Sequence, residues 1–395
     1  MQKNKVAFLI QNLAGGGAER QASVLLNNLH EEYDVHLVLL DKKIDYAIPE
    51  NQEVHYIANY DEHTSFLTHF LKLPLLGYRY YKYCKKNKID ISFSFNSRPN
   101  WIATFNKILG NKHTKVVLNE VICLSKLYSG GGIKGRLGRF LTRFFYKYAD
   151  AIVANSKLIK TDLEEFFKIP AERLHSVYNP VDLRFITSAK KEPVNPHFFS
   201  AATTFVCVAR FDYQKNHVAI IDAFSKIKEH DFKLLLVGTG RLYNEIFQQV
   251  KDNELSDKVE FLGFQKNPFN IIAASDCFVL FSHFEGFPNA LQESMACETP
   301  IISADCETGP RELLAPQSLQ APALLNNTVE MAEYGILVPP GNVDLLVEAL
   351  VKVMNDKQIL ENYRIKSRER SKVFDVSIIK YEFIKIFEKL THPVK

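Results

Sequence analysis

Nothing in this 395-residue chain approaches the roughly 18–20 uninterrupted apolar residues that a membrane-spanning helix requires. The best candidate, Phe66–Gly77, is broken by His69, Lys72 and Pro74. Paired cysteines are also lacking. Cys84, Cys123, Cys207, Cys277, Cys297 and Cys306 are scattered with no Cys-x-x-Cys pair. That excludes a zinc ribbon or redox dithiol, and isolated thiols fit a reducing cytosol. Lys3 and Lys5 precede a short apolar run that enters a glycine cluster without a small-residue cleavage site. The run reads as a first β-strand rather than a signal peptide, which predicts a cytoplasmic protein. Low-complexity tracts, short repeats and any RRM, KH or helix-turn-helix signature are missing too, so no element predicts base reading in nucleic acid.

What is present is ordinary globular composition, 46% hydrophobic and 24% charged. At roughly 150 residues per domain the length predicts two large domains. The net charge of +4 conceals an uneven distribution. Residues 1–190 hold 27 Lys/Arg against 18 Asp/Glu, and the remainder 22 against 27. Between Lys72 and Lys147 stand sixteen basic residues and only Asp90 and Glu120. Such a block points to an anionic partner for the first half: nucleic acid, a phosphorylated substrate or a membrane surface. A solvated basic face is the bland account.

Short apolar strands alternate with helical patterns through the first half, at Val6–Gln11, Val35–Leu40, Ile91–Phe95, Val116–Asn119 and Ala151–Asn155. That alternation predicts a parallel, doubly wound sheet. The pattern restarts after a polar segment bearing Pro193 and Pro196, with strands predicted at Phe205–Ala209, Lys233–Val237, Val259–Leu262, Cys277–Phe281, Pro300–Ser303 and Ile336–Val338. From Val343 onward the sequence reads as helix. The fold class is therefore α/β, two Rossmann-like domains in series. Residues 1–185 form the first, 186–375 the second, and 376–395 a helix crossing back to the first.

Three constellations can carry chemistry. Gly15-Gly-Gly17 follows the first strand and opens a helix, where glycine admits close backbone approach and free N–H groups favour an anion. Arg210 and Lys215 lie just past the first strand of the second domain, at the carboxyl edge where open α/β sheets bind ligands. Two cations there suit a diphosphate. The sharpest feature is Glu285-Gly-Phe-Pro-Asn-Ala-Leu-Gln-Glu293, again directly after a strand. Glu285 falls in the loop, and Glu293 on the helix whose N-terminus lies beside it.

This second half resembles the retaining glycosyltransferases of family 4, which have the two-Rossmann GT-B fold with a cleft between domains. The glutamates match their E-x7-E motif, and Asp305-Cys-Glu-Thr-Gly-Pro-Arg-Glu312 matches the segment that follows it. Gly15–Arg20 and Asn179-Pro-Val-Asp182 match as well, so the resemblance covers essentially the whole chain. It implies that the first domain binds acceptor and the second a UDP-sugar donor. By position it gives Arg210 and Lys215 the donor diphosphate, Glu285 the transferred sugar and Glu293 the ribose hydroxyls. Gly263 and Phe264 would meet the nucleobase, and Gly286, Phe287, Pro288 and Asn289 would line the donor loop. Gly17 would lie by the phosphates or the acceptor. The chain has no Asp-x-Asp, which agrees with metal-independent chemistry and calls for no cofactor.

The first domain has a closer likeness. Leu71-Lys-Leu-Pro74, the Tyr/Lys-rich run Tyr78–Lys88, Arg98-Pro-Asn100 and Asn119-Glu120 resemble bacterial transferases that add N-acetylgalactosamine to undecaprenyl-diphosphate-linked glycans for protein N-glycosylation. The likeness implies an α-1,4 bond and a polyprenyl-diphosphate-linked glycan acceptor. Many relatives have a histidine near Asn119; its absence here leaves Glu120 as the polar candidate for chemistry. Lipopolysaccharide or capsule assembly, a nucleotide-sugar epimerase and a nucleic-acid-binding protein are the competing readings. Ile133–Tyr148 places Ile133, Leu137, Phe140, Leu141, Phe144, Phe145 and Tyr148 at helical spacing, with Arg136, Arg139, Arg143 and Lys147 expected opposite. With Lys82, Lys85, Lys86 and Lys88 these predict a peripheral contact with the anionic inner face of the cell membrane.

Overall fold

The computed structural model describes residues 3–58, 71–130, 132–199, 202–319 and 327–392. The first part of the Phe66–Gly77 run lies outside the described residues. Two units divide the chain: residues 1–180 together with 376–395, and residues 181–375.

Unit 1 holds strands β1 (Lys5–Ile10), β2 (Asp34–Leu39), β3 (Val54–Tyr56), β4 (Ile91–Phe95), β5 (Lys115–Glu120), β6 (Ala151–Ala154) and β7 (Leu174–Ser176). They form one sheet in the order β3-β2-β1-β4-β5-β6-β7, every pairing parallel. The central strands are apolar without interruption because both faces are covered. Ala7 and Leu9 point into one core with Trp101, Leu118 and Phe145. Val6, Phe8 and Ile10 alternate to the other, with Phe93 and Phe95. The Val376–Thr391 helix closes that second face with Ile379, Phe383 and Phe387, and the Phe387 ring meets Phe93 edge-on at 5.3 Å. Each such buried phenyl contributes about 1.5–3 kcal/mol. Lys380 adds an ion pair to Glu32 at 2.8 Å.

Unit 2 repeats the plan with β8 (Thr203–Val208), β9 (Phe232–Val237), β10 (Val259–Gly263), β11 (Cys277–Leu280), β12 (Ile301–Ala304), β13 (Glu330–Met331) and β14 (Ile336–Val338). The order is β10-β9-β8-β11-β12-β14-β13, parallel except for β13, which pairs antiparallel with β14. The carboxyl-terminal stretch that reads as helix is three helices, Val343–Asn355, Lys357–Ser371 and Val376–Thr391. Asp356 breaks the first from the second and caps the second by accepting from Gln358 N. Strands β3, β7 and β13, each two or three residues long and at a sheet edge, escape the sequence pattern, whereas the equally short β14 lies inside the sheet and is buried at every position.

Both sheets reverse their direction of growth once. In unit 1 the reversal falls between β1 and β4, in unit 2 between β8 and β11. Loops leaving the carboxyl ends of such strand pairs diverge and open a crevice, which is where open α/β sheets bind ligands. Among the described residues no helix is long and apolar enough to cross a membrane.

Candidate active site

In unit 2 the loops after β8 and β11 flank the reversal point. The β8 loop is shaped by Asp212, whose carboxylate accepts from Lys215 N and sets a single 3-10 turn, Tyr213–Lys215. Asn216 then turns through a left-handed conformation, φ 50°, into the His217–Ser225 helix. Arg210 is mostly exposed and lies 3.4 Å from Asp212. Lys215 reaches the other way, to the β11 loop, and its Nζ donates to Glu285 Oε1 at 2.6 Å.

Glu285 is buried, and Ser282 Oγ donates to the same oxygen at 2.6 Å. One main-chain and one side-chain hydrogen bond lock the two loops together: His283 N donates to Gln214 O at 2.8 Å, and Gln214 Nε2 to Phe284 O at 2.9 Å. From beneath, Thr308 Oγ1 donates to Glu285 O. Gly309, φ 87°, lies against Gly286, and a Cβ there would come 2.4 Å from Gly286 O. The buried Arg311 anchors this lower segment, pairing with Asp305 at 2.8 Å and Glu330 at 2.6 Å.

The remaining donor candidates fall around the same loops. Glu293 sits on the Asn289–Ala296 helix that follows the β11 loop. Phe287 and Pro288 are buried, with Phe287 packed on Phe374 at 5.9 Å, so this phenyl anchors the loop rather than standing at its surface. Gly286 and Asn289 are half-buried. Gly263 ends β10 at φ 64° and accepts from Gly238 N at 2.8 Å; Phe264 beyond it is exposed. Gly238 has a different constraint: at φ 142°, a Cβ would meet Ala209 O at 2.1 Å, so only glycine lets the β9 end approach the β8 loop.

In unit 1, Gly17 is the first residue of the Gly17–Leu29 helix after β1. Arg98 lies in the first turn of the Ser97–Ile108 helix after β4, and its Nη1 donates to Gln11 Oε1 at 3.3 Å across the reversal point. Asn119 is buried and donates to Gln21 Oε1 at 2.7 Å. Glu120 does not face outward. It is fully buried, receives the Tyr146 hydroxyl, and accepts from Val121 N at 3.1 Å and Ile122 N at 3.3 Å. Burial pushes its carboxyl up to about 7, with the Tyr146 and backbone bonds pulling the other way. Asn96, at the end of β4, was not marked by any sequence motif, yet it has φ 70° and ψ 158°.

The basic face is also arranged differently from its sequence pattern. Leu141 and Phe145 of the Ile133–Tyr146 helix are buried, but Ile133, Phe140 and Phe144 are exposed, Ile133 by 86% and Phe140 by 63%. They share their stripe with the exposed Arg136, Arg143 and Lys147, and Lys147 Nζ lies 4.5 Å from the Phe144 ring. The cations therefore interleave with part of the apolar set instead of opposing it. The cause is Gly135 and Gly138: a Cβ at Gly138 would strike Tyr128 at 2.3 Å, so the helix turns its glycine side inward. Arg139 is half-buried and donates to Tyr128 O. The Leu73–Asn87 helix, with exposed Lys82, Lys85 and Lys86, packs on the other side of Ser97–Ile108, where Gly77 abuts Phe105 and Phe105 meets Phe145 at 5.8 Å. No group of three or more His, Cys, Asp or Glu that could hold a metal occurs among the described residues.

Comparison with known proteins bears on the family and the fold. Residues 188–370 match the family Glycosyl transferases group 1, and residues 15–185 match Glycosyltransferase Family 4. A Campylobacter jejuni protein named N-acetylgalactosamine-N,N'-diacetylbacillosaminyl-diphospho-undecaprenol 4-alpha-N-acetylgalactosaminyltransferase is 34% identical over 94% of this chain and 96% of its own length. A second C. jejuni protein, named a GalNAc-alpha-(1->4)-GalNAc-alpha-(1->3)-diNAcBac-PP-undecaprenol alpha-1,4-N-acetyl-D-galactosaminyltransferase, is 26% identical over 98% and 99%. Anabaena HepE, solved with UDP, superposes with a TM-score of 0.75 at 19% identity over 98% of this chain and 100% of its own. Sucrose-phosphate synthase from Thermosynechococcus elongatus gives 0.78 at 17% identity over 98% and 99%. Motifs, paired sheets and a full-length relative together place this chain in the group 1 and family 4 glycosyltransferases, with the two Rossmann-like domains of the GT-B fold.

Proposed function

We propose that this glycosyltransferase moves N-acetylgalactosamine from UDP-N-acetylgalactosamine onto an undecaprenyl-diphosphate-linked oligosaccharide, with retention and an α-1,4 bond, in building the glycan for protein N-glycosylation. The observation that carries the acceptor class is the C. jejuni relative, which this chain matches over 94% of its length. What supports the donor assignment is local. Arg210 and Lys215 put two cations at the reversal point of unit 2, where a leaving diphosphate gains charge. Lys215 is a point charge already held in place, and Arg210 is exposed enough to reorient onto phosphate oxygens. Glu285, on the adjoining loop, orients the transferred sugar, and Glu293 holds the ribose. With such cations the reaction needs no metal.

The acceptor's polyprenyl tail stays in the bilayer, so the enzyme works on the inner membrane surface through unit 1. Exposed Phe140 and Phe144 among Arg136, Arg143 and Lys147 support this, because an interfacial helix needs both apolar anchors and cations. Each cation near an anionic surface adds about 1 kcal/mol. A lipopolysaccharide or capsule acceptor is the second reading, favoured by a Salmonella typhimurium lipopolysaccharide 1,6-galactosyltransferase at 24% identity over 80% of this chain. Purified protein offered a panel of UDP-sugars against defined polyprenyl-diphosphate glycans decides between them. Transfer from UDP-N-acetylgalactosamine to an N-acetylgalactosamine-terminated glycan is expected; transfer only of another sugar, or only to lipopolysaccharide core, overturns the first reading.

A further inference from the structure

Three costs fall on Asn96. Its φ of 70° and ψ of 158° lie in a region of backbone space that is essentially reserved for glycine. It occupies the N-cap of the Ser97–Ile108 helix, where asparagine side chains serve best, yet it makes no side-chain cap bond. Its Oδ1 is buried and has no hydrogen-bond partner. The backbone is held there from both sides: Asn96 N donates to Asn119 O at 3.2 Å, and Asn100 N donates to Asn96 O at 3.0 Å. Strain that neighbouring strands enforce in this way concentrates at functional sites.

The position of Asn96 gives the strain a purpose. It ends β4 beside β1, the reversal point of the unit 1 sheet, which is the counterpart of the Lys215–Glu285 position in unit 2. Nearby, Gln21 Nε2 and Asn119 Oδ1 also lack partners, although Asn119 Nδ2 donates to Gln21 Oε1. These amides have no formal charge and suit a polar ligand, while Arg98, two residues on, brings a cation to the same reversal point. An unsatisfied carbonyl oxygen needs a donor. Phosphate oxygens at neutral pH mostly accept, whereas a sugar hydroxyl or acetamido N–H donates. Part of Asn96 stays open to solvent, since the residue as a whole is only half-buried.

We propose that Asn96 is a specificity-determining residue for the acceptor, its side-chain carbonyl accepting from a hydroxyl or acetamido N–H of the acceptor's glycan in the β1/β4 crevice. The proposal rests on the transferase reading above and deepens it by placing the glycan at this edge of unit 1.

The test uses the full chain and its Asn96→Gly variant, because glycine relieves the strain without a side chain. Thermal unfolding is followed for both. Calorimetry then measures binding of UDP, and separately of a soluble N-acetylgalactosamine-terminated diphosphate glycan with a short alkyl chain in place of the polyprenol. The expected result is a midpoint raised by about 2–4 °C, with UDP affinity unchanged and glycan affinity down at least about tenfold. Unchanged glycan affinity in the variant overturns the proposal, as does a midpoint that fails to rise. Wild-type protein that binds UDP but not the glycan instead overturns the acceptor reading of the function, and the assignment of Asn96 falls with it. Asn96→Asp supplies a second check: it keeps an acceptor oxygen at the same place, so glycan affinity should stay within about threefold of wild type. An Asp variant that loses as much glycan affinity as the Gly variant counts against the proposal.

Discussion

Lys215 Nζ and Glu285 Oε1 lie 2.6 Å apart, bridging two loops that leave different strands seventy positions apart in the chain. Lys215 is positioned by this pair before any diphosphate arrives, and Ser282 shares the same carboxylate oxygen. Lys215→Ala should therefore fail in two ways. Turnover at saturating donor should drop at least about 100-fold, as when a transition-state donor is removed. Stability should also fall by about 3 kcal/mol, because Glu285 is left buried without its partner. Arg210→Ala, at an exposed side chain, should lose turnover with almost no change in denaturant midpoint. Near-normal turnover in either variant would remove the diphosphate clamp.

The two glutamates should separate kinetically. Ribose contacts exist in ground and transition states alike, so Glu293→Ala should raise the Michaelis constant for donor about tenfold with turnover little changed. Glu285→Ala should mainly lower turnover, since that carboxylate orients the reacting sugar. Steady-state rates over a range of donor concentration decide it, and an effect on the Michaelis constant alone in both variants contradicts the division.

Glu120 gives unit 1 a pH signature. Its carboxyl is pushed from 4.5 to about 7 by burial, so the folded protein holds that proton more tightly than the unfolded chain. Its contribution is fully present below about pH 4.5 and is lost as pH rises through about 7. Chemical denaturation between pH 5 and pH 8 should show this decline, and Glu120→Gln should flatten it. A slope that persists unchanged in the glutamine variant assigns the pH dependence elsewhere.

Membrane attachment should have a salt-sensitive and a salt-resistant part. In liposome sedimentation, Arg136→Gln with Arg143→Gln should weaken binding to anionic vesicles at low salt. Phe140→Ser with Phe144→Ser should weaken it at all salt concentrations, by about tenfold or more for two phenyl groups. Arg139→Gln should change binding little, because this guanidinium is held by Tyr128 O. Equal binding of wild type to neutral and anionic vesicles would contradict the cationic part.

Arg311 makes a stability prediction for unit 2. Replacing it by alanine strands the buried Asp305 and opens the support beneath the Glu285 loop. The loss should be about 3–5 kcal/mol in urea denaturation. A loss under about 1 kcal/mol would show that Asp305 is relieved by water.

The sequence alone settled the elements whose information is local. Val6–Gln11 and Phe205–Ala209 announce themselves as strands because a strand buried on both faces must be apolar at every position, and β1 and β8 lie within two residues of those bounds. Glu285 and Glu293 are legible for the same reason: one loop and one helix fix their spacing, and the family motif follows. Tertiary structure decided everything that depends on which segments meet. That Lys215 pairs with Glu285, that Glu120 is enclosed by Tyr146, and that Asn96 is strained against β5 are consequences of strand order, which one strand's pattern does not encode. The Ile133–Tyr146 helix shows the same limit in one dimension. Its 3.6-residue period marks an amphipathic helix, but the glycines at 135 and 138, crowded by Gly130 O and Tyr128, choose which side turns inward. Period is a property of the chain; the face that is buried is set by what packs against it.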